Sequence, residues 1–430
     1  MMQELELSGE FNEVLDVLEN TKQNIFLTGR AGTGKSTLLQ LFRRTTKKKT
    51  VVVAPTGVAA LNVKGQTIHS FFGFPPRPDF EDHITKRKFR KLYQKMEMLI
   101  IDEISMVRAD ILDGIDRFLQ LNRDSSQPFG GVQMVFIGDL FQLPPIVSNP
   151  VERTKFQLYY ESPYFFSSKV MMAGYDISYI ELSKIYRQDN RHFIRLLEAI
   201  RLNRIDWYDL EDLNERHDPE FTGGDFYITL TARNASADAV NKRELEALDT
   251  RGFSFHASVE GQFDPRQYPT EVGLRLKLGA QVMFIKNDPL KRFVNGTIGK
   301  ISRIDDYEVH VEIETESGDI KEILVEEMEW EILKYKLKSE KDGQISSEII
   351  GTFSQLPLKL AWAVTIHKSQ GKTFNKVIID MGKGAFEHGQ TYVALSRCRT
   401  LDGIVLKKPI TIRDVRVDER VVDFYQQHLS

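Results

Sequence analysis

The nine residues GRAGTGKST, Gly29 to Thr37, have types and spacing suited to holding phosphate. They follow the apolar run NIFLT and open the helical run STLLQLF, the strand–turn–helix setting in which backbone N–H groups of a glycine-rich loop wrap phosphate oxygens. Lys35 would neutralise charge between the terminal two phosphates, and the Ser36 hydroxyl would ligate Mg²⁺. Gly29, Ala31, Gly32, Thr33, Gly34 and Thr37 complete the expected nucleotide cradle. In MLIIDEISM, Asp102 and Glu103 end another apolar run. Adjacent acids there suit a division in which Asp102 holds the Mg²⁺ shell and Glu103 orients and deprotonates water attacking the γ-phosphate. A carboxylate pair that merely caps the next helix is the structural alternative.

A third strand-like run, VQMVFI, leads into GDLFQLPP. The two prolines remove backbone donors and keep the chain extended, so Gln142 is held just beyond a strand end, where ligands of open α/β sheets sit. Its amide suits a sensor of the γ-phosphate or its attacking water; a turn glutamine bonded to backbone is the alternative. Arg187 in LSKIYRQ and Arg397 in TYVALSRCRT are remote from the loop in sequence, and either could supply transition-state charge from another domain.

These residues need a scaffold that brings several strand ends together. NIFLTG, TVVVAPT, MLIIDE and VQMVFIGD alternate with helical segments, the pattern of a helix-covered parallel sheet. A second set, expected to begin near Tyr179, includes YITLTARN, AWAVTIHKSQG, NKVIID and GIVLKK. The expected fold is therefore α/β with two parallel-sheet domains, 1–178 and 179–430. Within the second, EVHVEIETESGDIKEILVEEMEW alternates apolar and charged residues around a Ser-Gly turn and reads as an antiparallel hairpin, part of a small acidic β-barrel inserted at 297–356. The stretch KGQTIHSFFGFPPRP breaks the strand and helix rhythm; it is expected to form a proline-stiffened, wedge-like insertion at 63–78.

With 430 residues, 41% hydrophobic and 28% charged, the composition is that of an ordinary globular protein. The single cysteine, Cys398, excludes an intramolecular disulfide and an iron–sulfur cluster held by four thiolates of one chain. MMQELELSGE lacks the regions of a signal peptide, and no apolar run approaches bilayer length, so an intracellular, non-membrane location is expected, cytoplasmic and nucleoid-associated if bacterial. The net charge of −3 hides an asymmetry: Asp305 to Glu331 holds twelve acids and one base, and the remainder has an excess of eight positive charges. Basic runs such as Lys86 to Lys95 permit nucleic-acid binding without establishing it.

Taken in order, the motifs resemble those of superfamily one, subgroup B helicases, and among these the Pif (petite integration frequency) family. GRAGTGKST resembles motif I, VVVAPTGVAALNVKGQTIHSFF motif Ia, IIDEISM motif II, GDLFQLPPI motif III, LSKIYRQ motif IV, AWAVTIHKSQGKTF motif V and TYVALSRCRT motif VI. The segment ADILDGIDRFLQLNRDSSQPFGG resembles the family's signature between motifs II and III. The resemblance implies two RecA-like domains with ATP and Mg²⁺ in the cleft between them, and single-stranded DNA crossing the opposite face with 5′ to 3′ movement. It implies γ-phosphate coupling by Gln142, arginine fingers at Arg187 and Arg397, and a nucleotide contact at Gly371. For DNA it implies Thr56, Gly57, Lys64, Thr67, His69 and Ser70, with Phe72 and Phe74 near enough to stack on bases, and Thr365, His367, Lys368 and Ser369 from motif V; core packing is the alternative for Phe72, and a satisfied structural histidine for His69 and His367. Partners would be single-stranded DNA and DNA junctions, with G-quadruplexes or RNA–DNA hybrids as further substrates, and a monomer as the active form. Many relatives have an adenine-recognising glutamine where this chain has Phe11, which reads equally as a core residue; Asn12 or Gln3 would be the substitutes.

Two rivals remain open from sequence. A P-loop nucleotide kinase shares the phosphate loop but not DEIS with GDLFQLPP. A non-unwinding translocase, or an ATPase subunit of a recombination complex, would share the whole pattern.

Overall fold

The computed structural model describes residues 9–77, 79–147, 150–305, 308–315, 318–338 and 343–429. Strands β1 (Ile25–Gly29), β2 (Thr50–Ala54), β3 (Gln66–Thr67), β4 (Met98–Asp102), β5 (Gln133–Ile137) and β6 (Ser178–Leu182) form one wholly parallel sheet in the order β3-β2-β4-β5-β1-β6. Their unbroken apolar runs follow from burial on both faces. Ile25, Leu27, Val52, Ile100, Val135 and Ile137 point to the helices Gly9–Asn20 and Lys35–Thr45, while Phe26, Val51, Val53, Leu99, Ile101 and Phe136 point to a larger core that includes the helix Ala109–Arg123.

Strand β7 (Ile228–Thr231) opens a second parallel sheet. The chain then runs through β8 (Gly252–His256), β9 (Ser258–Gly261), β10 (Gly273–Lys277), β11 (Gln281–Phe284), β12 (Ile298–Asp305), β13 (Glu308–Glu314), β14 (Ile320–Val325), β15 (Met328–Leu337), β16 (Ile345–Gln355) and β17 (Leu358–Leu360), all paired antiparallel. It returns with β18 (Ala363–Thr365), β19 (Val377–Asp380) and β20 (Ile404–Leu406), completing the parallel order β18-β7-β19-β20. Because β7 and β18 are neighbours, the antiparallel module is spliced between two adjacent strands. The expected hairpin is β13–β14, whose turn includes Gly318 at φ 86°.

Three boundaries differ from expectation. The antiparallel strands begin at Gly252, well before 297, because β8, β10 and β11 share an apolar core with β12 to β14. Strand β6 crosses the expected break at 178/179, yet it pairs with β1 along five residues and closes the first sheet. The 63–78 stretch is mostly woven into the first sheet: Gln66 and Thr67 pair with β2, and Phe71, Phe72 and Phe74 are buried. Of that stretch Pro78 lies outside the described residues.

Two of the contacts that tie the halves together lie away from the P-loop. The C-terminal helix Glu419–His428 returns to the first sheet's core, stacking Phe424 on Phe166 at 4.6 Å and setting it edge-on to Tyr179 and Phe165. From the antiparallel module, the Tyr335 hydroxyl accepts from Val52 N at 3.1 Å, and Tyr335 N donates to Gln66 Oε1 at 3.1 Å. Among the described residues no helix is long and apolar enough to cross a membrane.

Candidate nucleotide cleft and nucleic-acid face

The loop after β1 turns through Gly29, Gly32 and Gly34, all at positive φ, and delivers the chain into the helix Lys35–Thr45. Gly32 is irreplaceable for space as well as conformation: a Cβ there would lie 2.6 Å from that of Arg187. Lys35 Nζ donates to the carbonyls of Gly29 and Arg30 at 2.6 and 3.1 Å, which folds the ammonium over the loop. Burial lowers its pKa, with Asp139 and then Glu103 drawing it back up.

A cleft of about 870 Å³ opens above this loop. Ala31 to Thr37, Glu103, Gln142, Arg187, Gly371 and Arg397 all line it, so twelve expected positions from six chain segments face one space. Gly29 sits at the strand end beneath the loop, and Asp102 is buried at the end of β4 next to Glu103. Arg187 differs in origin from expectation. It follows β6 and stands against the P-loop of its own sheet, so of the two expected arginine fingers Arg397 is the one that approaches from the second sheet.

Burial dominates the electrostatics of the cleft. Burial raises the carboxyl pKa of Asp102, and the neighbouring Glu103 raises it further. Burial also raises Glu103, against the pull of Lys35 and Arg397. Burial lowers Arg187 to about 9, with Arg397 adding to the effect, and burial brings Arg397 down to about 10; both remain charged at neutral pH. Arg397 is aimed by hydrogen bonds from Nε to Val393 O and from Nη2 to Ser396 Oγ, both 2.9 Å. The exposed Ser36 hydroxyl and the Asp102 carboxylate are hard oxygen donors, and a carboxyl group whose ionisation burial disfavours is one that a divalent cation would stabilise; the donor set fits Mg²⁺ shared with phosphates.

Four contributors were not singled out from sequence. Gln370 Nε2 reaches Gln142 Oε1 at 3.2 Å and Glu103 Oε2 at 3.5 Å. Asp139 accepts from Gln142 Nε2 at 3.1 Å. It lies 3.7 Å from buried Arg201, whose charge is opposed by burial but upheld by Asp139, Glu198 and Glu181. The Tyr392 hydroxyl accepts from Ala31 N at 3.0 Å, joining the second sheet's helix Gln390–Leu395 to the P-loop. Tyr186 lines the cleft with an exposed ring. All four lie inside the motifs quoted above, and only their tertiary partners distinguish them.

Phe11 is a core residue. It is buried with Val14 and Leu18, and its ring supports Gly34 from below. Asn12 is exposed, and Gln3 lies outside the described residues.

The residues expected at DNA divide into two groups. Thr56, Thr67 and Thr365 each cap a short helix by accepting from Ala59 N, Ser70 N and Lys368 N, but Thr365 is only 3% exposed and, unlike the other two, is buried away from DNA. Lys64, Ser70 and Lys368 are exposed beside them. His69 is half-buried, and burial lowers its pKa, favouring the neutral ring. His367 Nε2 is 2.8 Å from Glu387 Oε2. Gly57 is covered by Gln267 of the antiparallel module, whose Cγ lies 2.8 Å from where a Cβ would be. The second group does not face solvent. Phe72 is 0% exposed and Phe74 4%; they stack on each other at 5.3 Å and meet Phe118 edge-on, so neither ring has a face for a base. Ser369 is fully buried and donates to Ile366 O at 2.7 Å, which uses its hydroxyl internally.

Two RecA-like parallel sheets with a P-loop cleft, paired acids, a strand-end amide and two arginines define the core of a P-loop motor ATPase. Residues 6–210 match the PIF1-like helicase family. The chain belongs to that family. It is 33% identical to the ATP-dependent DNA helicase Pif1 of Bdellovibrio bacteriovorus over 99% of this chain and 92% of the relative. It is 30% identical to the ATP-dependent DNA helicase PIF1 of Emericella nidulans over 96% of this chain, but it spans only 62% of that longer protein. Among solved structures, unliganded Pif1 from Bacteroides sp is 38% identical with a TM-score of 0.87, covering 99% of this chain and 97% of that one. Bacteroides Pif1 bound to ssDNA, at the same 38% identity and with 98% and 96% covered, gives 0.67. Equal identity with unequal superposition places the difference in the arrangement of parts.

Proposed function

We propose that this chain is an ATP-driven DNA helicase that moves 5′ to 3′ on single-stranded DNA and unwinds duplex ahead of it. The observation that carries this reading is the cleft itself, where the P-loop, Glu103, Gln142 and Arg187 of one sheet face Gly371 and Arg397 of the other. A site assembled from two sheets converts nucleotide chemistry into relative movement of the sheets, which a kinase acting on a small acceptor has no need of.

In this mechanism backbone N–H groups of Gly32 to Ser36 hold the phosphates and Lys35 exchanges its loop carbonyls for phosphate oxygens. Ser36 and Asp102 would hold Mg²⁺, which supplies charge neutralisation on the phosphates when bound. Glu103 takes the proton of the attacking water, Gln142 senses the γ-phosphate, and Arg187 and Arg397 face charge developing on the transferred group. Thr56, Lys64, Thr67, His69, Ser70, His367 and Lys368 contact the DNA backbone, a sequence-independent grip on one strand. Gly57 joins them once Gln267 moves aside, and the looser match to the ssDNA-bound relative supports such a rearrangement. G-quadruplexes and RNA–DNA hybrids would be obstacles met by the same translocating grip. A monomer is proposed as the active unit.

The test is ATP hydrolysis with and without single-stranded DNA, with products resolved. Strong stimulation by DNA, with free phosphate as the only acceptor product, is expected. A phosphorylated nucleoside or nucleotide acceptor, or no response to DNA, would overturn the proposal.

A further inference from the structure

We infer that Gln370 is a positioning residue that connects the DNA-facing segment of the second sheet to the water-activating groups of the first. The inference rests on the helicase reading above and deepens it. Gln370 ends the short helix Ile366–Ser369, and its backbone N–H donates to His367 O at 3.2 Å. It is therefore fixed to the turn that carries His367 and Lys368. Gly371 follows at φ 77° with no atom within 4 Å of an added Cβ, so the chain has room to pivot immediately after it.

The Gln370 side chain crosses to the other sheet. Its amide nitrogen is 3.2 Å from Gln142 Oε1 and 3.5 Å from Glu103 Oε2, and the amide N–H₂ has one proton for each acceptor. Gln142 in turn donates from Nε2 to Asp139 Oδ2 at 3.1 Å, and buried Arg201 holds Asp139 in place. The direction of this relay is set by its ends. Carboxylate Asp139 only accepts, so Gln142 presents its N–H₂ to Asp139 and its carbonyl to Gln370. Gln370 must then donate, and its second proton falls to Glu103. A primary amide is suited to this position for that reason: a carboxylate would set acceptor against acceptor, and an apolar side chain would leave Gln142 Oε1 and Glu103 without this donor.

When DNA shifts the His367–Lys368 turn, Gln370 moves with it. The bond at 3.5 Å is at the outer limit of hydrogen bonding, and such catalytic contacts tighten as a site closes. Gln370 touches neither ATP nor water in this account. It fixes the side chains that do.

The experiment is a double-mutant cycle on DNA-stimulated ATPase activity, using the full chain carrying Gln370→Ala, Gln142→Ala or both, with Gln370→Glu as a fourth variant. Gln370→Ala is expected to lower kcat at saturating single-stranded DNA roughly tenfold, with the KM for ATP and the Kd for a fluorescent oligonucleotide within about threefold of wild type. The effects of the two alanine substitutions should be clearly less than additive in the double variant, because the Gln370–Gln142 hydrogen bond is lost in either single variant. Gln370→Glu, nearly isosteric, should lose at least as much as Gln370→Ala. Unchanged melting temperatures would confirm folded variants. Additive effects of the two alanine substitutions, or full activity in Gln370→Glu, would overturn the inference while leaving the helicase reading intact. A wild-type chain whose ATPase does not respond to DNA would overturn both.

Discussion

Lys35 and Glu103 divide the work proposed at the γ-phosphate, and substitutions should separate their roles. Lys35→Ala is expected to lower ATP turnover by at least about 10²-fold, because developing phosphate charge loses its closest cation in a closed site. Glu103→Gln should bind a fluorescent ATP analogue within a few-fold of wild type while turnover falls by roughly 10²- to 10⁴-fold, since the general base is lost and the Mg²⁺ ligand Asp102 remains. Losses of binding as large as the loss of turnover would contradict the division. These residues were legible in the sequence because the phosphate loop is local: its ligands are consecutive, and the apolar runs that precede Gly29 and Asp102 announce strand ends. Gln370 was not, although it stands in the quoted motif V. Its partners Gln142 and Glu103 lie 228 and 267 residues away, and nothing local distinguishes a bridging glutamine from a solvated one.

The helix Ile68–Phe72 shows how an element can be misplaced by a correct local reading. Its Gly-Phe-Pro-Pro continuation does break the alternation of strand and helix, which suggested a protruding wedge. The aromatic partners that bury it, Phe80, Tyr93 and Phe118, come from three later segments. Phe72→Ala should therefore destabilise the fold by about 3–5 kcal/mol and leave the DNA affinity of the folded protein unchanged. Chemical denaturation paired with oligonucleotide binding checks this; a selective loss of DNA affinity at constant stability would restore a stacking role. Strand β15 carries a second test. Tyr335 holds the antiparallel module to β2, while Gln267 of the same module covers Gly57. Tyr335→Ala should loosen that docking, speed hydrogen exchange at Val52, and strengthen single-stranded DNA binding several-fold. Weaker DNA binding would mean that the docked module supports the DNA site.

Across the whole molecule, charge and chain path both depart from the sequence order. The segment Asp305 to Glu331 concentrates twelve acids against one base, which leaves the rest of the chain net positive and able to bind a polyanion despite the overall charge of −3. Two parallel sheets were legible because their apolar runs alternate with helices. The boundary between them was not, since β6 joins the first sheet and the C-terminal helix Glu419–His428 crosses back to it, through pairings and ring contacts that no linear pattern records. One cleft between those sheets is the basis for reading the chain as a motor, and strand displacement tests that reading most directly. Duplexes of one sequence, bearing a single-stranded tail at either the 5′ or the 3′ end, are incubated with the protein, ATP and Mg²⁺ at fixed salt, because phosphate contacts make binding salt-dependent. The account predicts displacement of the 5′-tailed duplex, dependent on hydrolysable ATP and lost in Lys35→Ala. Displacement of the 3′-tailed duplex alone, or of neither when DNA-stimulated hydrolysis is intact, would contradict it.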